Sequence, residues 1–391
     1  MRDFDVVVVG AGCSGIWAAV GAARGGGRVA LVERSARVAE RIVCAEGIGS
    51  RGIARLVGLR PEWIAQSIDG IRFHAPDHTC VEVKEPSCGF ILNKEIFLRG
   101  LAERAAAEGV EIWLGAEAGP VRPTSGGGLA IDVTSGKIGR SLRCGAVVAA
   151  DGIESRIGRQ IGFQGALSRE DVVSCAQYTL ASIDLDPTRV EFYLGRDVAP
   201  GGYAWVFPKG DSVANMGVGI ATDGHQGLTP MEYLMRFKQA RAPRARILGT
   251  VVGGVPSELR PYKACGGVFL AGDAARVADP VSGAGIVPGM ESGALAGSHA
   301  LLYATGEQEP AIVEKRFAEA LRSSLKNRKM RFALKRVLAG MTDKELSRMI
   351  SLIGEFVSKG AAVRSDPLPL LKFLAKSMPT AFRLAKYLVG V

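Results

Sequence analysis

The chain has 391 residues, 47% of them hydrophobic, and a formal charge of +10. It is long enough for two or three packed units with cores of their own. The charge is local: Arg322–Val391 holds 15 Lys/Arg against 4 Asp/Glu, which is +11 and leaves the preceding 321 residues at −1. A nucleic-acid-binding body is therefore excluded, and no nucleic-acid partner is expected. Seven scattered cysteines without a CxxC pair argue against a disulfide framework and against a zinc ribbon. His74 and His78 sit in a Pro/Asp-containing stretch and read as exposed loop residues, so no metal is expected. No run approaches about 18 uninterrupted apolar residues. Met1–Asp5 leads directly into apolar Val6–Val9 without a charged leader, and a cytoplasmic protein is expected.

Asp5–Val9 predicts a buried strand, Gly10–Gly15 a turn, the alanine-rich stretch to Ala23 a helix, and Arg28–Val32 a second strand. Short β-like pieces follow between Ile71 and Phe90. Lys94–Glu108 sets Ile96, Phe97, Leu101 and Ala105 on one helical face, with Gly109 just past its end. Ser125–Gly128 is a flexible turn, and Ala146–Ala150 another buried strand. Antiparallel alternation runs through Val173–Leu180, Arg189–Leu194, Ala204–Phe207 and Ala214–Ile220. Strand–helix character returns at Val268–Gly297, and from Pro310 the pattern is helical.

Gly10-Ala11-Gly12-Cys13-Ser14-Gly15 is a GxGxxG between a strand and a helix, with Glu33 ending the second strand 18 residues beyond Gly15. Gly10 allows the tight turn and Gly12 a close approach of pyrophosphate. Gly15 lets helix and strand pack closely, and Glu33 can accept from a ribose hydroxyl. This motif does not separate FAD from NAD. A second element does: Val268–Ala275 is a strand ending in Gly272-Asp273, followed by Pro280 and Gly283-Ala284-Gly285-Ile286. An aspartate there can bond a ribityl chain, and the helix start can face the flavin edge where charge gathers on reduction. Ala150-Asp151-Gly152 ends a third strand. The fold class expected is α/β: a Rossmann-type FAD-binding domain (1–70, 90–165, 256–310), an inserted antiparallel-sheet substrate domain (71–89, 166–255) and a basic helical C-terminal segment (311–391).

In this order and spacing the three elements resemble the FAD superfamily of aromatic hydroxylases and geranylgeranyl reductases. Arg41–Ile48, with Cys44-Ala45-Glu46-Gly47 at its centre, is similar to the cysteine loop of the geranylgeranyl reductases, particularly their archaeal lipid-reductase branch. Pro200–Pro208 followed by Gly217-Val218-Gly219 resembles that family's tunnel motif. The resemblance implies that Ser14, Glu33, Cys44, Ala45, Gly47, Lys94, Ala118, Asp273, Gly285 and Ile286 contact the cofactor, alongside Gly10, Gly12 and Gly15. It implies that Tyr203 and Trp205 line a cavity for an isoprenoid chain. Alternation along one strand independently puts these two rings on the same side. The family commonly has arginine where Lys94 stands and aspartate where Leu98 stands; lysine cannot repeat a bidentate contact.

The activity implied is FAD-dependent saturation of isoprenoid C=C bonds, by hydride from flavin N5 and a proton from Cys44 or water. A thiol is mostly protonated at neutral pH and can serve as the acid. Only one GxGxxG is present, so electrons come from an external donor: NAD(P)H, a deazaflavin or ferredoxin. The substrate expected is an isoprenoid lipid or a prenylated small molecule. The basic tail mixes Arg331, Lys335, Arg336, Lys372 and Lys376 with Leu334, Val337, Leu338 and Leu374 at helical spacing. It packs on the body or contacts anionic headgroups at the inner membrane surface. Two other functions fit the same fold: an FAD monooxygenase of the hydroxylase or halogenase kind, and a non-catalytic lipid-binding or electron-relay flavoprotein.

Overall fold

The computed structural model describes residues 2–162, 167–221, 227–259, 263–359 and 368–378. They form two compact units, each assembled from three stretches of chain: 1–42, 94–168 and 256–326 in one, 43–93, 169–255 and 327–391 in the other.

The first unit is built on an eight-stranded sheet. Its parallel strands lie in the order Val268–Leu270, Ile138–Ala149, Phe4–Val9, Val29–Val32 and Glu111–Trp113. Val7 pairs with Ala30 on one side and Val147 on the other. Val6–Val8, Ala30, Leu31 and Val147–Ala149 are all buried regardless of parity. Continuous apolar runs of this kind belong to strands covered on both faces. The helix Cys13–Arg24 packs against the helix Ile286–Thr305 at very short range. A Cβ at Gly293 or Gly297 would stand 2.1 or 1.9 Å from the carbonyl oxygens of Ser14 and Ala18. Gly285, Gly289, Gly293 and Gly297 recur every four residues, a spacing that puts them on one helical face. The stretch read as a flexible turn closes a hairpin between Glu117–Pro123 and Leu129–Ser135, with Thr124 Oγ1 donating to Gly127 O at 2.7 Å. The first of these strands buries only Val121 and so shows no alternation in the sequence.

The second unit holds another eight-stranded sheet, in the order Arg246–Pro256, Val172–Ala181, Val213–Ala221, Tyr203–Pro208, Arg189–Tyr193, Ile64–His74, Cys80–Leu92 and Gly47–Gly49. One face buries Ala176, Tyr178, Leu180, Ala204, Val206, Met216 and Val218 against the helix Pro230–Arg241. That helix starts at Thr229, whose side chain and that of Glu232 cap each other reciprocally. The helices Arg328–Gly340, Asp343–Ser358 and Leu368–Ser377 turn Val337, Leu346, Ile350, Ile353 and Leu374 onto Ala75 and Val83 of the sheet. The apolar faces of these three helices are thus engaged by their own unit.

The structure differs from the sequence expectations in several respects. Residues 43–70 cluster with the sheet unit, because Ile48 pairs with Phe90 and Ile71 with Val83. The helix Pro310–Ser324 clusters with the first unit, where Phe317 meets Phe269 edge-on at 5.3 Å. His74 is not in a loop: it ends the strand Ile64–His74 and stacks on Tyr193 at 4.1 Å, while His78 sits in the turn beyond.

Candidate active site

In the first unit the chain turns sharply at Gly10, whose φ of +99° suits glycine, and Gly10 N donates to Val32 O at 2.8 Å. A Cβ at Gly15 would lie 1.8 Å from Gly10 O, so only glycine lets helix and strand close this far. A Cβ at Gly12 would meet nothing within 4 Å. The turn therefore offers an open concave side at a helix start, which fits a pyrophosphate. The Glu33 carboxylate accepts from Ala11 N and Ser35 N, both at 2.8 Å. Each oxygen retains a lone pair, so ribose hydroxyls can still be bound. Ala116 N donates to Glu33 O, which ties the strand bearing Ala118 to the same end of the sheet.

Ser14 connects this turn to the Gly-Asp element. A Cβ on Gly272 would clash with Ser14 Oγ at 2.0 Å, and a Cβ on Gly289 would stand 3.3 Å from the same hydroxyl. Asp273 follows in the single turn Gly272–Ala275, and a Cβ on Gly285 would stand 3.8 Å from Asp273 Oδ1. Gly285 caps the helix that begins at Ile286, so this carboxylate lies at a positive helix end. Burial raises the pKa of Asp273, opposed by the charges of Lys94 and Arg276. Arg276 is buried and donates to Ile153 O at 2.7 Å and Asp273 O at 2.9 Å, fixing the Gly-Asp turn to the segment after Asp151. Leu98 is buried apolar core of the helix Lys94–Ala107. Gly10, Gly12, Ser14, Gly15, Glu33, Lys94, Asp273, Gly285 and Ile286 are thus gathered around one end of the parallel sheet. Their open turn, helix N-termini and two carboxylates fit FAD.

In the second unit the sheet face opposite the helix Pro230–Arg241 carries aromatic rings. Tyr203 and Trp205 do share a side, with ring centroids 6.0 Å apart and nearly edge-on. Phe207 continues the row at 6.3 Å from Trp205, and Phe192 meets both Tyr203 and Phe207 edge-on. Phe73 stacks on Phe192 at 5.8 Å and joins the row to the core under the C-terminal helices. The loop Cys44–Gly47 lies on this same face. Trp205 Nε1 donates to Gln177 Oε1 at 3.2 Å, and Gln177 Nε2 donates to Cys44 O at 3.1 Å. Asn215 Nδ2 donates to Ala45 O at 3.3 Å. One glutamine therefore links the tunnel-motif tryptophan to the cysteine. Burial pushes the thiol of Cys175, two residues before Gln177 on the same strand, up to about 12.

A family model described as the geranylgeranyl reductase catalytic domain matches residues 171–255, and one described as glucose inhibited division protein A matches residues 5–84. A digeranylgeranylglycerophospholipid reductase of Methanocella arvoryzae is 41% identical over 303 residues, 76% of this chain and 77% of that protein. The chain belongs to the geranylgeranyl reductase family. Another digeranylgeranylglycerophospholipid reductase, from Methanothrix thermoacetophila, is 36% identical over 91% of this chain and 93% of its own length. The crystal structure of a geranylgeranyl bacteriochlorophyll reductase-like protein from Thermoplasma acidophilum superposes with a TM-score of 0.92. It is 27% identical and covers 99% of this chain and 100% of that one.

In this family member the glycines after the tunnel motif have a steric reason. Trp205 lies across the neighbouring strand opposite Gly217, where a Cβ would stand 2.2 Å from the indole. Gly217→Ala should therefore displace the indole and lower stability by about 1–3 kcal/mol, the usual cost of overpacking. Thermal denaturation checks this. Gln177, Asn215, Glu46, Lys209 and Phe207 were missed in the sequence. A signal did exist for Asn215, the one polar residue inside the otherwise apolar strand Val213–Ala221.

Proposed function

We propose that this protein is an FAD-dependent reductase that saturates geranylgeranyl-type C=C bonds of a lipid or prenylated substrate. The observation that carries this reading is the Trp205–Gln177–Cys44 connection, which sets the cysteine loop on an aromatic face in a chain of this family. Bound FAD, reduced by an external donor such as NAD(P)H, a deazaflavin or ferredoxin, supplies the hydride. The residues of the chain do the rest. Tyr203, Trp205 and Phe207 pack along the prenyl chain and keep water from it. An isolated alkene accepts hydride poorly unless the neighbouring carbon takes a proton, and Cys44 or a water beside it gives that proton. Glu33, Ser14 and Asp273 hold the cofactor, with Gly10, Gly12, Gly15, Cys44, Ala45, Gly47, Lys94, Ala118, Gly285 and Ile286 in backbone or flanking contact.

The test is anaerobic. Reduced protein mixed with a geranylgeranyl lipid should reoxidise and yield product heavier by two hydrogens per bond. In deuterated water the carbon of each reduced pair that takes the proton should carry deuterium. Product oxygenated only when air is admitted would instead make the protein a monooxygenase. Electron uptake without any prenyl turnover would make it a relay.

Contact with an anionic membrane surface completes the proposal. Its support is the +11 charge between Arg322 and Val391. No helix among the described residues is long and apolar enough to cross a membrane. Binding to phosphatidylglycerol vesicles should exceed binding to phosphatidylcholine vesicles and fall as salt shortens the Debye length to about 10 Å at 0.1 M. Equal binding to both would remove the membrane from the account.

A further inference from the structure

Glu46 has a left-handed backbone, with φ at +69°. A glutamate stays there only where its surroundings impose it. Here the imposing contacts are on the page. Glu46 Oε2 accepts from Asn215 Nδ2 at 2.7 Å and from Lys209 Nζ at 2.5 Å. Asn215 is fully buried, and its Oδ1 accepts from Thr179 Oγ1 at 2.9 Å. On the far side of the loop a Cβ at Gly47 would lie 2.9 Å from the Phe207 ring. With its side chain gripped in this way, Glu46 turns its backbone N–H onto Cys44 Sγ at 3.3 Å.

We propose that Glu46 is a positioning residue for Cys44: the clamp of buried Glu46 and Asn215 with half-buried Lys209 holds the left-handed turn whose amide aims the thiol. The proposal rests on the assignment of Cys44 above. Stability alone is a poor reason for this arrangement. A buried ion pair gains little over apolar packing of the same volume, and a left-handed glutamate adds strain. The strand that ends just before Lys209 and the strand that carries Asn215 are already joined by the Phe207–Asn215 and Pro208–Ala214 pairs of their ladder. Charge and strain converge on the residue whose amide faces the sulfur.

Two double variants of the FAD-loaded full chain separate aiming from packing. Glu46→Ala with Lys209→Met keeps the net charge but removes the grip. Glu46→Gly with Lys209→Met removes the same grip and leaves a residue that adopts positive φ freely. Cys44 alkylation by iodoacetamide is followed by peptide mass spectrometry, and kcat and KM are measured separately. The alanine pair should alkylate at least about tenfold more slowly and lose kcat about tenfold, with KM within about twofold. The glycine pair should recover most of both, since the turn it needs costs it nothing. Should the alanine pair not fold, Glu46→Gln, which keeps shape and the Asn215 bond, should show a smaller change in the same direction. Wild-type alkylation and kcat in every variant would overturn the proposal. If alkylation follows the clamp but Cys44→Ser leaves turnover intact, the aiming role stands and the proton-donor assignment falls.

Discussion

Cys44→Ser is expected to slow substrate reduction by about 10²–10⁴-fold, the usual worth of general acid catalysis, while FAD stays bound. Serine nearly matches cysteine in size, so the Gln177 bond to the backbone carbonyl of residue 44 is retained. A hydroxyl is a far weaker acid than a thiol and gives up its proton much less readily. The loss should therefore fall on the step that protonates the alkene carbon. Single-turnover reoxidation of the reduced protein by a geranylgeranyl lipid isolates that step from reduction by the external donor. It should slow to the same extent as kcat, and flavin content should match wild type. Cys175 shares the aromatic face, but burial pushes its thiol up to about 12, which makes it a poor substitute acid. An unchanged single-turnover rate would leave residue 44 with backbone contacts only.

The parts of this protein that were legible in the sequence are those whose chemistry is local. The turn from Gly10 to Gly15 contains its own steric logic: Gly15 is needed because Gly10 O is 1.8 Å from where its Cβ would be. Glu33 was legible because one helix and one strand separate it from that turn by a characteristic length. Tyr203 and Trp205 could be put on one side by strand alternation alone. The Gln177 bond to Cys44 could not, since it spans 133 residues and depends on the register of several strands. The same holds for Lys209 and Asn215, which reach Glu46 across 163 and 169 residues. Residues 43–70 were given to the wrong neighbour in the expected ranges for a related reason. The three-residue strand Gly47–Gly49 is too short to carry a pattern, yet its pairing with Gly89–Ile91 decides which sheet the segment joins. His74 looked like a loop residue because Pro76 and Asp77 follow it immediately, and those residues make the turn beyond the strand.

Asp273→Ala is expected to strip most of the FAD from the purified protein without weakening the empty fold. Asp273 stands just beyond the strand Val268–Leu270, in the turn Gly272–Ala275, and faces the helix start at Gly285. A bond from Asp273 to a ribityl hydroxyl would be charge-assisted, worth about 1.5–3 kcal/mol, so its loss should weaken FAD about 10- to 150-fold. Asp273→Asn, which keeps one acceptor of the same shape, should fall between. Flavin absorbance after gel filtration and a fluorescence titration of the apoprotein measure this directly. The stability arm has the opposite sign. Burial raises the pKa of Asp273, with Lys94 and Arg276 opposing, so the folded apoprotein disfavours the ionised carboxylate at neutral pH. Removing that charge relieves a cost, and the apo variant should melt at or above apo wild type near pH 7. The advantage should shrink as the pH falls through the raised pKa, because the wild-type carboxyl then takes up its proton and the cost disappears. A group kept for folding would behave otherwise: its loss would lower the apoprotein's melting point at neutral pH. Near-normal flavin occupancy in Asp273→Ala, or an apo melting point that drops by several degrees, would remove Asp273 from the cofactor site and return it to the fold.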